Sequence, residues 1–173
     1  MCIPLEHLFS KENNQEKHVI LNDNKTILLP MGEFPVIEIS PIHLELTHTG
    51  RRKLLVDGSV ELIALQVPCD RCLKEVRVAF SVHFHKEIDC SNLESEDSSD
   101  DTQYIVDSCL DLDKIIQDEI LLQWPAKVLC RESCKGICKI CGHDLNAGDC
   151  GCDRVVLDPR MAAIQDIFNQ GAN

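Results

Sequence analysis

Eight of the eleven cysteines fall into four close pairs, and this spacing constrains the chain more than any other feature. The pairs are Cys69/Cys72, Cys130/Cys134, Cys138/Cys141 and Cys150/Cys152. Two intervening residues, as in Cys138-Lys139-Ile140-Cys141, let both sulfurs reach one ion while backbone N–H groups turn towards them. Gly142, directly after that pair, tolerates the positive φ such a turn requires. Clustered thiols point to metal in a reducing compartment and to disulfides in an oxidising one. Met1 to Lys17 carries Glu6, Lys11, Glu12, Glu16 and Lys17 and lacks an apolar run followed by a cleavage site. No secretory signal is therefore expected. No apolar run approaches the roughly 18 residues of a membrane helix. The expectation is a cytoplasmic chain with no membrane partner, its eight paired thiols holding two structural zinc ions.

The short interval from 138 to 152 assigns Cys138, Cys141, Cys150 and Cys152 to one local site. Cys69, Cys72, Cys130 and Cys134 then form a second, clipping the strand region to the C-terminal part across a long loop. Four pairs can be joined into two sites in three ways. This one gives the most compact second knuckle, and a one-zinc chain with Cys69 and Cys72 merely buried stays open. Cys2, Cys90 and Cys109 stand alone and read as small apolar or loop residues.

Hydrophobic patterning supplies the frame around the thiols. Residues 1–33 are polar, with apolar patches at Val19–Leu21 and Ile27–Leu29 that suit one or two short strands. Val36 to Thr47 reads as a strand broken at Ser40-Pro41, where the apolar positions change phase. After a turn at Thr49-Gly50, Arg51-Arg52-Lys53 opens a strand. Its apolar face shifts from Leu54, Val56, Val60 and Leu62 to Ile63, Leu65 and Val67. The clearest strand follows, with Val76, Val78, Phe80, Val82 and Phe84 alternating with Arg77, Ala79, Ser81, His83 and His85. His83 and His85 share its outward, solvated face. The first thiol pair lies at the turn between these two long strands. Cys90 to Thr102 is a mobile acidic loop by composition, and Tyr104-Ile105-Val106 a short strand. Asp111 caps a helix with a buried stripe of Leu112, Ile115, Ile116 and Ile120. Trp124-Pro125 ends it. Asp158-Pro159 starts a last helix, with Met161, Ile164, Ile167 and Phe168 on one face.

The expected fold class is α+β: a bent, largely antiparallel, barrel-like β-sheet with two helices and a Cys-rich zinc-binding C-terminal module. Residues 1–107 form the β-rich region, including the acidic loop 90–102. Residues 108–173 supply the helix, the zinc-binding module and the C-terminal helix, the whole packed as one domain.

The formal charge of −12 argues against a protein that coats nucleic acid generally. Most of that charge belongs to residues 94–119, which hold ten acidic residues and one lysine. Basic residues gather instead beside the thiols: Arg71, Lys74 and Arg77 near the first pair, and Lys127, Arg131, Lys135 and Lys139 through the second region. A four-thiolate zinc site carries a formal charge of about −2, so these residues serve equally as its neutralisers or as a phosphate-binding patch. Arg71, Lys74, Arg77, Lys127, Arg131 and Lys135 are the candidate nucleic-acid-binding residues. Catalysis finds little support. A zinc deaminase needs a His-x-Glu stretch ahead of its thiols, and neither Cys pair has one nearby in the sequence. A redox dithiol at Cys69/Cys72 would favour a helix N-terminus, whereas this pair joins two strands. Candidate catalytic residues: none.

Pro68-Cys69-Asp70-Arg71-Cys72-Leu73 resembles the Cys-x-Arg-Cys-Leu segment of the bacterial YceD family. The helix from Asp111 to Leu122 with Pro125, the stretches Cys134-Lys135-Gly136-Ile137-Cys138 and Cys141-Gly142-His143-Asp144-Leu145-Asn146, then Cys150-Gly151-Cys152 and Asp158-Pro159-Arg160, are similar to its later segments. The resemblance runs from about residue 34 to 168. It implies a non-enzymatic ribosome biogenesis factor supporting accumulation or maturation of large-subunit rRNA. Its partners would be ribosomal RNA or ribosome-assembly components. Two other classes stay open: an adaptor that binds a basic ribosomal protein through the acidic segment, and a thiol-redox or zinc-dependent enzyme.

Overall fold

A computed structural model describes residues 1–10, 14–22, 25–50, 53–90, 103–106 and 108–153. In chain order its strands are β1 (Cys2–Pro4), β2 (Gln15–Ile20), β3 (Thr26–Leu29), β4 (Gly32–Ile39), β5 (Ile42–His48), β6 (Lys53–Pro68), β7 (Glu75–Asp89), β8 (Ile105–Val106) and β9 (Cys109–Asp111). One helix follows, α1 (Leu112–Leu122), and a short 3-10 turn covers Leu8–Ser10. The chain divides into two compact units. The first is Met1–Pro68 with Glu75–Val128; the second is Cys69–Lys74 with Leu129–Asn173.

The first unit is organised by β6 and β7, which pair antiparallel from Lys53↔Asp89 to Pro68↔Glu75. The alternation in β7 places Phe80, Val82, Phe84 and Ile88 inside and leaves Arg77, Ala79, Ser81, His83 and His85 exposed. The shift of apolar face along β6 is a bulge between Val60 and Ile63. β4 and β5 lie end to end along the other side of β6, with Ile39 opposite Ile63 and Ile42 opposite Val60. The break at Ser40-Pro41 therefore faces the bulge. Proline has no N–H for the ladder, and Ser40 supplies the missing pairing: its Oγ accepts from the Leu62 N–H at 2.9 Å, and its own N–H donates to the Leu62 carbonyl at 2.9 Å.

The six-stranded sheet is open rather than barrel-like, which corrects the expectation from sequence. Its order is β2-β5-β6-β4-β3, with β7 on the far side of β6. β4 and β5 share one side of β6, and among the described residues no pairing joins β7 to β2 or β3. A separate three-stranded sheet has the order β1-β9-β8. α1 is the one α-helix among the described residues. The helix expected from Asp158 lies outside them, as do residues 91–102 of the acidic loop and Arg51 and Arg52.

α1 starts where its cap predicts. Asp111 takes extended dihedrals and its side chain accepts from the Lys114 N–H at 3.4 Å. Leu112, Ile115, Ile116 and Ile120 are its buried stripe. The helix packs against β7 and β3, and the Lys86 ammonium on β7 meets Glu119 at 3.0 Å. Beyond its end, Trp124 lies between Phe34 and Phe80, with ring centroids 5.0 and 5.6 Å away.

The lone-cysteine reading needs one correction. Antiparallel pairing of β1 with β9 brings Cys2 near Cys109, and the two form a disulfide with Cα atoms 5.4 Å apart. They lie 107 residues apart in the chain, so spacing could not reveal them. Cys90 is buried, its thiol directed at the Ile88 carbonyl.

Gly58 shows how closely the sheet is packed. It faces Phe84 across the β6–β7 ladder, and a Cβ there would overlap the ring, 2.7 Å from Cε1. Phe84 is itself buried. Gly58→Ala is expected to destabilise the β-rich unit by about 2 kcal/mol, since overpacking forces the ring off its rotamer. Urea unfolding followed by tryptophan fluorescence measures this; a midpoint within error of the parent's would contradict the packing argument.

Candidate metal centres

The second unit holds both sulfur groups and, among its described residues, almost no regular structure. Its 69–74 segment is the connection from β6 to β7. There the Cys69 N–H donates to the Lys74 carbonyl at 2.8 Å, and the Leu73 N–H donates to the Cys69 carbonyl at 2.9 Å. Leu73 consequently takes φ 61°. The turn at Cys138–Gly142 repeats this design: the Gly142 N–H donates to the Cys138 carbonyl at 2.9 Å, with φ 73° at Gly142. Glycine adopts this backbone freely, whereas an L-residue such as Leu loses about 1 kcal/mol or more. Both Cys-x-x-Cys segments therefore form one kind of knuckle, although only the second advertises it with glycine.

The structure brings the eight paired thiols into two fours. The sulfurs of Cys69, Cys72, Cys130 and Cys134 all lie within 4.8 Å of one another, as do those of Cys138, Cys141, Cys150 and Cys152. Within the first group, Cys72 and Cys130 are 3.5 Å apart and Cys69 and Cys134 are 3.9 Å apart. A tetrahedron with Zn–S bonds of about 2.3 Å has edges of about 3.8 Å, so this donor set fits such an ion. Each group can hold a metal ion with four thiolates.

Electrostatics shows why these fours favour a cation. Burial opposes ionisation of Cys69, but the N–H groups of Arg71, Cys130 and Cys72 outweigh it and hold its thiol down to about 6. Cys134 is also lowered: burial resists, and the Gly136 N–H, the Cys130 thiol and the Asn146 amide prevail. Cys130 is pushed up to about 12, chiefly by the Cys72 sulfur and then by burial. In the second group the N–H groups of Cys141 and Ile140 bring Cys138 down to about 6. The sulfurs of Cys141 and Cys150 push Cys152 up to about 12. Some sulfurs in each group ionise readily and thereby block another, which a divalent cation relieves.

A polar shell surrounds the first group. The Asn146 Nδ2 donates to Cys134 Sγ at 3.6 Å and to Asp144 Oδ1 at 2.7 Å. Its Oδ1 accepts from the Lys135 N–H at 2.8 Å and the Arg131 guanidinium at 2.9 Å. Asp144 Oδ2 pairs with the Lys74 ammonium at 2.7 Å, which holds its carboxyl well below the usual range. The Arg71 guanidinium donates to the Cys134 carbonyl at 2.7 Å. Asn146 and Asp144 carry roles that sequence reasoning does not assign. They lie in a segment quoted only for its resemblance, and no spacing rule picks out an amide donor to sulfur.

The candidate nucleic-acid residues divide between the units. Arg77 and Lys127 belong to the β-rich unit, where Arg77 pairs with Glu38. Arg71, Lys74, Arg131 and Lys135 belong to the Cys-rich unit. Of these, Arg71, Lys74 and Arg131 are engaged around the first sulfur group. The Lys127 and Lys135 ammonium groups have no partner among the described residues. Among those residues no helix is long and apolar enough to cross a membrane.

With this geometry in place, comparison with known proteins is decisive on one point. The family described as large ribosomal RNA subunit accumulation protein YceD matches residues 56–168, more than half of the chain. The chain belongs to the YceD family. The match takes in β7, α1 and all eight clustered thiols. The chain is similar to the uncharacterized protein Rv2926c of Mycobacterium tuberculosis, 29% identical over 117 residues, covering 66% of this chain and 56% of that protein. YlbN of Bacillus subtilis, also uncharacterized, is 29% identical over 105 residues, 60% of each chain. The uncharacterized ML1660 of Mycobacterium leprae is 29% identical over 142 residues, 79% of this chain and 64% of that one. The chain thus spans about three fifths of the length of these relatives. No solved structure matches it.

Proposed function

We propose that this YceD-family chain is a non-enzymatic factor supporting accumulation or maturation of large-subunit rRNA, with two structural zinc ions. The observation that carries the reading is the pair of four-sulfur groups in a chain whose family is described by rRNA accumulation. Cys69, Cys72, Cys130 and Cys134 hold one ion, and Cys138, Cys141, Cys150 and Cys152 the other. Zinc supplies folding energy at such sites, because four thiolates leave no open position for substrate. Ribosomal RNA is the partner, met in the cytoplasm.

We rank the candidate contacts by what each cation already does. Arg71, Lys74 and Arg131 support this reading mainly as neutralisers of a dianionic zinc–thiolate centre. Arg77 shares its charge with Glu38. Lys127 and Lys135 have charge to offer phosphate.

The test is made in cells lacking the chain and complemented with variants. Purified protein is expected to carry two zinc equivalents, and Cys72→Ser with Cys134→Ser to lower large-subunit rRNA relative to small-subunit rRNA. Lys127→Glu with Lys135→Glu is expected to reduce ultraviolet crosslinking to rRNA without loss of zinc. An unchanged subunit ratio in the thiol variant, or well under one zinc equivalent in the parent, would overturn the proposal.

A further inference from the structure

The segment 142–149 is anchored at both ends by the second sulfur group, through Cys141 and Cys150 and through backbone bonds of Gly142 and His143 with Cys138, yet the side chains of Asp144 and Asn146 reach the first. Lys74 of the first knuckle pairs with Asp144, and Asn146 donates to Cys134 Sγ. The Asn146 oxygen gathers the Lys135 N–H and the Arg131 side chain, both flanking Cys134. The Leu145 N–H donates to the Gly136 carbonyl at 3.0 Å, and the Ile137 N–H to the Arg71 carbonyl at 3.1 Å. We propose that Asn146, positioned by Asp144, couples the two sulfur groups, so that filling one with metal tightens metal binding at the other. This rests on the reading of both groups as metal sites.

The physical argument is one of preorganisation. With the second group filled, the ends of segment 142–149 are tied and its conformational freedom is already reduced. Asn146 then presents its Nδ2–H to Cys134 without a further ordering cost. With that group empty, the segment must be ordered when the first group binds. The amide suits the role chemically: one end donates to a thiolate while the other accepts from two donors, a division that neither Asp nor Ala reproduces. Outer-shell partners of this kind alter metal affinity by about 10- to 100-fold. Coupling between two binding equilibria is reciprocal, so the same factor must appear at both groups.

The experiment is a cobalt(II) titration of the full, reduced chain, following thiolate-to-cobalt absorption in competition with a chelator of known affinity. Emptying the second group with Cys138→Ser and Cys141→Ser is expected to weaken the first by about tenfold or more. Cys69→Ser with Cys72→Ser is expected to weaken the second by the same factor. Asn146→Asp leaves every thiol in place and keeps the acceptor oxygen, but it loses the donor to Cys134. It is expected to weaken the first group about tenfold, and removal of the second group's thiols in that background to cost little more. First-group affinity unchanged within twofold when the second is emptied, unequal factors at the two groups, or full additivity in the Asn146→Asp background would overturn the coupling. A parent chain that binds no cobalt would instead overturn the metal reading itself.

Discussion

Stripping metal from the reduced chain is expected to unfold residues 69–74 and 129–153 while the β-rich unit stays folded. The distribution of buried residues is the reason. The apolar core, from Ile3 to Val128, belongs wholly to the β-rich unit. In the other unit the buried residues among those described are Cys69, Cys72, Cys134, Gly136 and Cys138. Its regular pairing there is one isolated bridge, Ile137 to Asp144. A segment with thiols for a core has little apolar burial to offset the entropy of ordering its chain. Structural zinc contributes on the order of 10 kcal/mol per site at neutral pH, comparable with the whole stability of an ordinary domain at about 5–15 kcal/mol. Hydrogen exchange before and after chelation measures the effect. Amide protection in the Cys-rich unit should be lost, protection in β6 and β7 retained, and zinc should restore the first. Equal protection in the Cys-rich unit with and without metal would refute the idea that metal is its core.

The same division explains what could be read from the sequence. Period-two alternation in β7 and the Asp111-capped stripe of α1 are local signals, and both elements stand where they predict. The phase changes at Ser40-Pro41 and at Ile63 are also local, and they prove to be two halves of one irregularity. The openness of the sheet is not local. It depends on β4 and β5 sharing one side of β6, which no single strand records. Neither is the Cys2–Cys109 bond, made by pairing two three-residue strands from distant parts of the described chain. Among the thiols, spacing divides eight into two fours because close pairs cannot reach separate ions easily. Spacing is silent about Asn146 and Asp144, whose roles depend on a turn that exists only once the knuckles have formed. The basic residues are ambiguous for a related reason: charge near a thiol is visible in sequence, whereas engagement of Arg71, Lys74 and Arg131 around one group is a property of the folded segment.

Gly136→Ala is expected to be the most damaging single substitution that leaves every thiol intact. Gly136 has φ 79°, where an L-residue is strained by about 1–2 kcal/mol. A Cβ there would also fall 2.9 Å from the Arg71 carbonyl oxygen. That oxygen cannot easily withdraw, because it accepts from the Ile137 N–H and lies between Cys69 and Cys72. Backbone strain and the close contact together amount to about 3 kcal/mol, close to a hundredfold in affinity at the first sulfur group. Any displacement of the Gly136 N–H acts in the same direction, since that donor helps lower the Cys134 thiol from its ordinary value. Cobalt competition on the variant reads the loss directly. One added methyl group suffices to produce it, because relief of the contact pushes the Cys134 segment away from the first knuckle. A first-group affinity within threefold of the parent's would mean that the two thiol pairs tolerate separation, and the close backbone approach at Gly136 would then have no part in assembling the centre.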